Sequence, residues 1–404
     1  MRRPKLLLSA EPFGYGPAGK LLSIVERLRG GDFHLSFLGG GTAMTAVRMN
    51  QGFFDTIVEL EAGRIHEHEA LIRGCDAILS VMEPALVIAG YAHRKTTLYV
   101  DSLSFLWRSS IEREMLEKLS SELPGAPALG YELANDMPMH DAQALAHYLA
   151  HACFIQRYSN LNSTIAIANP REIDAIVPRH GEPVACQGCD LLVSLSGQLS
   201  AFADAVSSLD YANLVIDLCE RIRAKAGGDT RIDIAVNPAV RKLIPQEQQR
   251  RFNMCSLDHR HMNEKVRTCT LLLAPPGLTT ALESIFHGTP YLLLPDQHYA
   301  HHLNRMILDP AGQYAALDFG TRDLPRDPRA ATRFLQERAK SQLTSPEFDT
   351  LADAAAERVC ELLFDAALRA AAIRAQRAQF DACIGGFDGA THVTNEVKQL
   401  FALA

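Results

Sequence analysis

Short apolar runs of β-forming residues alternate with helically patterned segments along most of the chain, and this alternation narrows the possible folds more than any other feature. Lys5–Ser9, His34–Leu38, Thr56–Glu59, Asp76–Val81 and Thr97–Val100 are separated by stretches long enough for a crossover helix. Parallel strands need such crossovers, whereas hairpins need only tight turns, so a parallel sheet is expected. The first run leads into Gly14, Gly16 and Gly19 and then into Lys20–Arg29, where Leu21, Leu22, Val25 and Leu28 recur at helical spacing. Strand, glycine-rich turn and helix open a doubly wound α/β domain.

The second half restarts the pattern. Asp190–Ser194 reads as a buried strand running into the loop Leu195–Ala203, and Tyr211–Lys225 as a helix that Gly227 and Gly228 end. Strands at Arg231–Val236, Thr270–Ala274 and Tyr291–Pro295 follow, with a helix Ala281–His287 before the last. Two facing Rossmann-like doubly wound domains fit this better than one large sheet. Residues 169–189 are rich in proline, glycine and charge and read as a linker. The expected division is therefore 1–168, the linker 169–189, 190–378, and a helical tail 379–404 that packs back on the first domain. Pro346–Ala378 reads as one alanine-rich helical stretch and Thr391–Leu403 as a last short helix.

Composition removes several classes of function. With 40 Lys and Arg against 47 Asp and Glu, the formal charge is −7, so nothing global draws the chain to nucleic acid or an anionic membrane. The nine cysteines are an odd, scattered set, which suits reduced thiols. No apolar stretch reaches the ~18 residues of a membrane span, and Leu6–Ala10 is too short for a secretory signal, so a cytoplasmic protein is expected.

One segment carries a specific motif. Residues 271–304, LLLAPPGLTTALESIFHGTPYLLLPDQHYAHHLN, resemble the donor-binding region of nucleotide-sugar-dependent glycosyltransferases of the GT-B fold, the UDP-glycosyltransferase type. Gly277, Thr279, Thr280, Glu283, Gly288, Pro290, Pro295, Asp296 and Gln297 match that pattern in order. The resemblance implies transfer of a sugar from a nucleotide diphosphate donor to a small-molecule acceptor. It implies a sugar nucleotide as co-substrate, with no other cofactor and no metal, and leaves a homodimer open.

The chemistry asked of these positions is intelligible in itself. A diphosphate suits backbone N–H groups at a helix N-terminus, with a glycine allowing close approach. Gly277, Thr279 and Thr280 offer both, and Gly197 in the loop Ser194–Ser200 offers the same from the neighbouring strand. By resemblance Glu283 accepts from ribose hydroxyls, and Asp296 and Gln297 bond the sugar. Each also has an ordinary reading, as a tight turn after a strand or a solvated helix residue.

Two family histidines are replaced. Pro275 stands where the phosphate-contacting one is expected, and Pro17 where many members have the base beside Gly14 and Gly16, the acceptor-side turn. A substitute base must lie at the C-terminal ends of the first domain's strands. Glu11, Glu83 and Asp101 satisfy that condition, Glu11 first, although each could instead cap a helix or face water. Cys186 and Cys189 have zinc-knuckle spacing but no second pair, so no metal site is assigned. His298, His301 and His302 cannot all share a helix face, although one can reach substrate phosphate or sugar; His259 and His261 read as a polar surface loop or the nucleobase region. A nucleotide-sugar epimerase or hydrolase, and a non-catalytic sugar-nucleotide-binding partner, remain as alternatives.

Overall fold

The computed structural model describes residues 2–30, 32–159, 161–178, 187–199, 203–320, 324–325 and 327–402. The chain forms two compact units, Met1–His180 with Cys383–Ala404, and Gly181–Ala382. Each is a parallel sheet flanked by helices.

The first unit holds strands β1 (Lys5–Ala10), β2 (His34–Gly39), β3 (Thr56–Glu59), β4 (Ala77–Val81), β5 (Thr96–Asp101), β6 (Ala152–Gln156) and β7 (Pro170–Ile173). They lie in the order β3-β2-β1-β4-β5-β6-β7, and every neighbouring pair is parallel. The central strands are continuous apolar runs because helices cover both faces of a parallel sheet. Leu7, Leu38 and Ile78 pack with Ile72, Leu86 and Ala89, whereas Tyr99 and Cys153 pack with Val87 and Ala146.

Strand β7 lies inside the stretch expected as a linker. Pro170 costs little there because it opens an edge strand, where no further strand needs its missing N–H. The chain end belongs to this unit too. The helix Gly389–Ala402 packs on the helix Gly16–Leu28, and Phe401 meets Phe33 with ring centroids 5.4 Å apart. Backbone bonds Ser159 N–H to Cys383 O (2.8 Å) and Ala175 N–H to Gly386 O (3.0 Å) fix its entry.

The second unit holds β8 (Leu191–Leu195), β9 (Ile232–Val236), β10 (Leu271–Ala274) and β11 (Tyr291–Leu293), in the parallel order β11-β10-β8-β9. Val193, Ile234 and Leu273 join a core with Val215, Leu218 and Ile222 of the helix Leu209–Ala226 and Ala352, Ala356 and Val359 of the helix Pro346–Phe364. The stretch expected to run as one helix through Ala378 is two, because Asp365 is extended and caps the next helix, Ala366–Cys383. Its Oδ1 accepts from Ala367 N–H (2.8 Å) and Leu368 N–H (3.0 Å). The expected loop around His259 and His261 is instead the helix His259–Thr268, whose start Asp258 caps by accepting from His261 N–H at 2.8 Å. Among the described residues no helix is long and apolar enough to cross a membrane.

The tail's seat gives the first testable outcome. A Cβ at Gly389 would lie 2.2 Å from Asp174 O, whereas one at Gly228 meets nothing within 4 Å. Gly389→Ala is expected to lower unfolding free energy by roughly 1–3 kcal/mol, the range for overpacking, with Gly228→Ala close to neutral in the same denaturant melts. Equal effects of the two would mean that the tail adds nothing to the first unit.

Candidate active site

In each sheet the chain steps to one side of its first strand and later returns to the other. That creates a switch point between β1 and β4 and another between β8 and β10. Ligands of doubly wound sheets bind outside the carboxyl ends of the strands at such points, where the flanking loops part in opposite directions.

At the first, register sets the level of the three candidate carboxylates. Ala10 pairs with Val81 and Val81 with Val100, so Glu11, Glu83 and Asp101 sit at the ends of three adjacent strands. Their environments differ. Asp101 is fully buried and committed: it accepts from Leu103 N–H (2.6 Å) and the Trp107 indole N–H (2.5 Å), and its Oδ2 lies 2.9 Å from His147 Nε2. The other His147 nitrogen is 2.7 Å from Gln143 O. An oxygen thus lies beside each ring nitrogen, an arrangement that suits the doubly protonated ring. Burial alone would favour the neutral ring, but the Cys153 sulfur and the Asp101 carboxylate outweigh it and hold the His147 pKa well above its ordinary value. Asp101 was expected just after the fifth strand; it is instead the last residue of β5, inside the core with both oxygens engaged by protein groups.

Glu83 is half committed. Its carboxylate caps the helix Pro84–Ala92 by accepting from Ala85 N–H at 3.0 Å, and burial raises its pKa to about 7 against that bond. The preceding Met82 is left-handed, with φ of 60°, a strained conformation for a side-chain-bearing residue. It is held by Gln143, whose Nε2 donates to Met82 O at 3.0 Å and whose Oε1 accepts from the Tyr99 hydroxyl. Glu11 is the free member: among the described residues its carboxyl has neither a hydrogen bond nor an ion pair. Burial, then Glu83 and Asp101, raise its pKa to about 8.

The turn after Glu11 is built to stay open. Gly14 has φ of 69° and Gly16 begins the next helix, with Pro17 in its first turn where proline costs nothing. Thr42 clamps the turn, its hydroxyl donating to Pro12 O or Gly14 O (2.9 and 2.7 Å). Gly41, φ 57°, allows that approach, since a Cβ there would lie 2.3 Å from Pro12 O.

At the second switch point, Gly197 lies in open space after β8 and Gly277 precedes the helix Leu278–His287, which has no side-chain cap. Thr279 and Thr280 stand half-buried in its first turn, and Glu283 is buried, 3% exposed, so it is no solvated helix residue. Gly288 adopts the left-handed C-cap with φ of 69°, which accounts for that motif glycine by backbone alone. Asp296, also buried, is already paired: Arg305 Nε donates to Oδ1 at 2.9 Å and His302 Nδ1 lies 3.4 Å from Oδ2. Gln297 is 7% exposed, and among the described residues its side-chain oxygen has no partner. Ser200 and Cys186 lie outside the described residues. Among those described, no group of three or more His, Cys, Asp and Glu could hold a metal ion.

The sequence pattern thus leads to both strand-end clusters but misses Gln143 and His147, which lie one helical turn apart on the distant helix Met139–Leu149, and Asn304 and Arg305. A polar pair at i, i+4 in an otherwise apolar helix face is the signal that marks the first two.

No family model and no curated protein matches the chain. Solved structures do, over nearly its whole length. The glycotransferase of kitacinnamycin is 14% identical, with TM-score 0.50 over 99% of each chain. The spinosyn forosaminyltransferase SpnP is 14% identical with TM-score 0.49 over 99% of this chain and 100% of that one. The glycosyltransferase SnogD from Streptomyces nogalater is 12% identical with TM-score 0.48 at the same coverage. The first of these likenesses, with the two parallel sheets, gives the fold as that of GT-B proteins, with two Rossmann-like units.

The charge state of Glu11 is testable by stability alone. A carboxyl that holds its proton more tightly when folded stabilises the fold below its unfolded pKa and loses that contribution as pH rises through the folded one. For Glu11 the window runs from about 4.5 to about 8. Glu11→Gln, which cannot ionise, is expected to gain stability over wild type across that window, by on the order of a few kcal/mol at pH 9. A difference between the two proteins that stays constant from pH 5 to pH 9 would place the Glu11 carboxyl in ordinary solvent.

Proposed function

We propose that this chain is a glycosyltransferase that moves a sugar from a nucleotide diphosphate donor to a small-molecule acceptor, with the donor on the second unit and the acceptor on the first. The observation that carries the reading is the start of the helix Leu278–His287 at the β8/β10 switch point, where the N-cap Gly277 makes no side-chain cap bond, with Thr279 and Thr280 in its first turn and Glu283 buried behind them. Such a helix end offers N–H groups and a favourable dipole to an anion. The GT-B fold, shared with the glycotransferase of kitacinnamycin, supports sugar transfer as the reaction class.

In this reading Gly197 and Gly277 let the backbone approach the diphosphate, and Thr279 and Thr280 add hydroxyl donors. Glu283 accepts from ribose hydroxyls, and the free oxygen of Gln297 accepts from a sugar hydroxyl. Asp296 acts through Arg305, holding the loop, more readily than by direct contact. Transfer then depends on positioning and on stabilising the departing diphosphate, both met by fixed dipoles. Phosphate charge met in this way leaves metal-independent catalysis as the expectation.

Glu11 is the base of this scheme and Glu83 its neighbour; Gly14 and Gly16 shape the acceptor turn beside them. At neutral pH most Glu11 carboxyls are protonated, given a pKa of about 8. Only the ionised fraction accepts the acceptor's proton. Turnover with an alcohol acceptor should therefore rise with pH and level off above about 8. The protonated form also suits a general acid, which favours donor hydrolysis or epimerisation as the second reading.

Initial rates with sugar nucleotides and a panel of alcohol acceptors test this. Glu11→Gln is expected to lower turnover by about 10²–10⁴, the usual loss for a general base, with donor affinity unchanged. Glu283→Gln should weaken the donor by roughly 1–2 kcal/mol, and Thr280→Val should weaken the diphosphate more than the free nucleoside. Donor cleavage at an acceptor-independent rate would support the second reading; donor binding without turnover, unaltered by any of the carboxylate variants, would leave a binding protein.

A further inference from the structure

We propose that His301 supplies the side-chain N–H donor to the donor's diphosphate, reaching from the helix Tyr299–Leu308 over the loop Pro275–Gly277 where Pro275 offers none. The inference rests on the nucleotide-sugar reading above and names a contact that this reading does not contain.

Four observations carry it. His301 is 6% exposed, and its Nδ1 accepts from Gln297 N–H at 3.3 Å, so the ring proton sits on Nε2. That Nε2 lies 3.9 Å from where a side chain on Gly277 would begin. Gly277 has an ordinary φ of −86° and room for a Cβ, so neither its backbone nor its neighbours demand glycine. What the missing side chain leaves is access between the loop and the ring.

Asn304, one helical turn beyond His301 and 5% exposed, ties the helix to the same loop: its Nδ2 donates to Pro276 O at 3.0 Å. Among the described residues its Oδ1 has no partner, nor has the side-chain oxygen of Gln297. Buried polar atoms left unpaired cost about 1–3 kcal/mol each, so these two, one on the side chain tied to the loop and one on the residue whose N–H meets His301, mark a place that a polar ligand completes. A diphosphate accepts from His301 Nε2–H, while hydroxyls of the attached sugar donate to the two free amide oxygens.

The ring is also locked in place and in charge. His298 stacks on it with centroids 3.7 Å apart. Burial, then His298 and Arg305, keep His301 neutral, well below the ordinary imidazole pKa. It therefore donates its Nε2–H as an oriented dipole and carries no second, imidazolium proton.

The test is calorimetric titration of the full chain with UDP, dTDP, GDP and ADP, and with the corresponding nucleosides. His301→Phe keeps a ring against His298 but no ring nitrogen, and is expected to weaken the tightest diphosphate tenfold or more while leaving its nucleoside unchanged; His301→Gln, which retains an N–H donor, should recover most of the loss. In the wild-type chain the His301 Nε2 resonance should shift on adding that diphosphate and stay put with the nucleoside, a readout independent of how the variants fold. An unmoved resonance, or equal affinities for wild type and His301→Phe, overturns the His301 contact; if Thr280→Val still weakens the diphosphate, the nucleotide site itself stands. Failure of all four diphosphates to bind overturns both.

Discussion

Everything else in this chain depends on the parallel pairing of strands that are buried on both faces. Continuous apolar runs such as Leu6–Leu8 and Leu271–Leu273 cannot face water on either side, so helices must cover them and every connection must cross over. Because all strands then point the same way, their carboxyl ends form one rim per sheet. Residues far apart in sequence, Glu11 with Glu83 and Gly197 with Gly277, reach one rim for that reason.

The two rims use burial differently. On the first, three carboxylates at one level repel one another, and each is relieved in its own way. Asp101 takes a protonated histidine and two N–H donors, Glu83 takes a helix start, and Glu11 takes a proton. The graded environments separate an acid fully engaged by protein groups from one whose carboxyl has no partner among the described residues. On the second rim a buried acid, Asp296, is held by Arg305, while among the described residues the amide oxygens of Gln297 and Asn304 have no partner and the neutral His301 ring turns its Nε2 toward Gly277. An anion with hydroxyls attached has the complementary chemistry.

Much of the strand pattern was legible because buried parallel strands are long apolar words: β1, β2, β3 and β10 lie within a residue or so of where the sequence puts them. Strand β6, Ala152–Gln156, holds an apolar run, Ala152–Ile155, but this follows within three residues of the apolar-faced helix Met139–Leu149, and β7 begins at a proline amid turn residues, so neither stands out by local preference. The helix break at Asp365 was hidden by helix-compatible residues on both sides, Glu361–Phe364 before it and Ala366–Leu368 after it, since capping is a matter of one carboxylate's angle. Candidate carboxylates could be found from strand ends alone. Their ranking could not, because it depends on Gln143 and His147, some forty residues on from Asp101 and brought beneath it only by the fold. The histidines after Asp296 were visible as a group, but which of them turns inward is decided by the helix start at Tyr299.

The central claim is that the second sheet's switch point receives a nucleoside diphosphate. A crystal structure of the chain grown with its best-binding nucleoside diphosphate tests it most directly. The account requires the two phosphates against the N–H groups that follow Gly277, with the ribose within hydrogen-bonding distance of Glu283. Phosphates seated at the β1/β4 rim beside Glu11, or a nucleotide bound away from both rims, would contradict it.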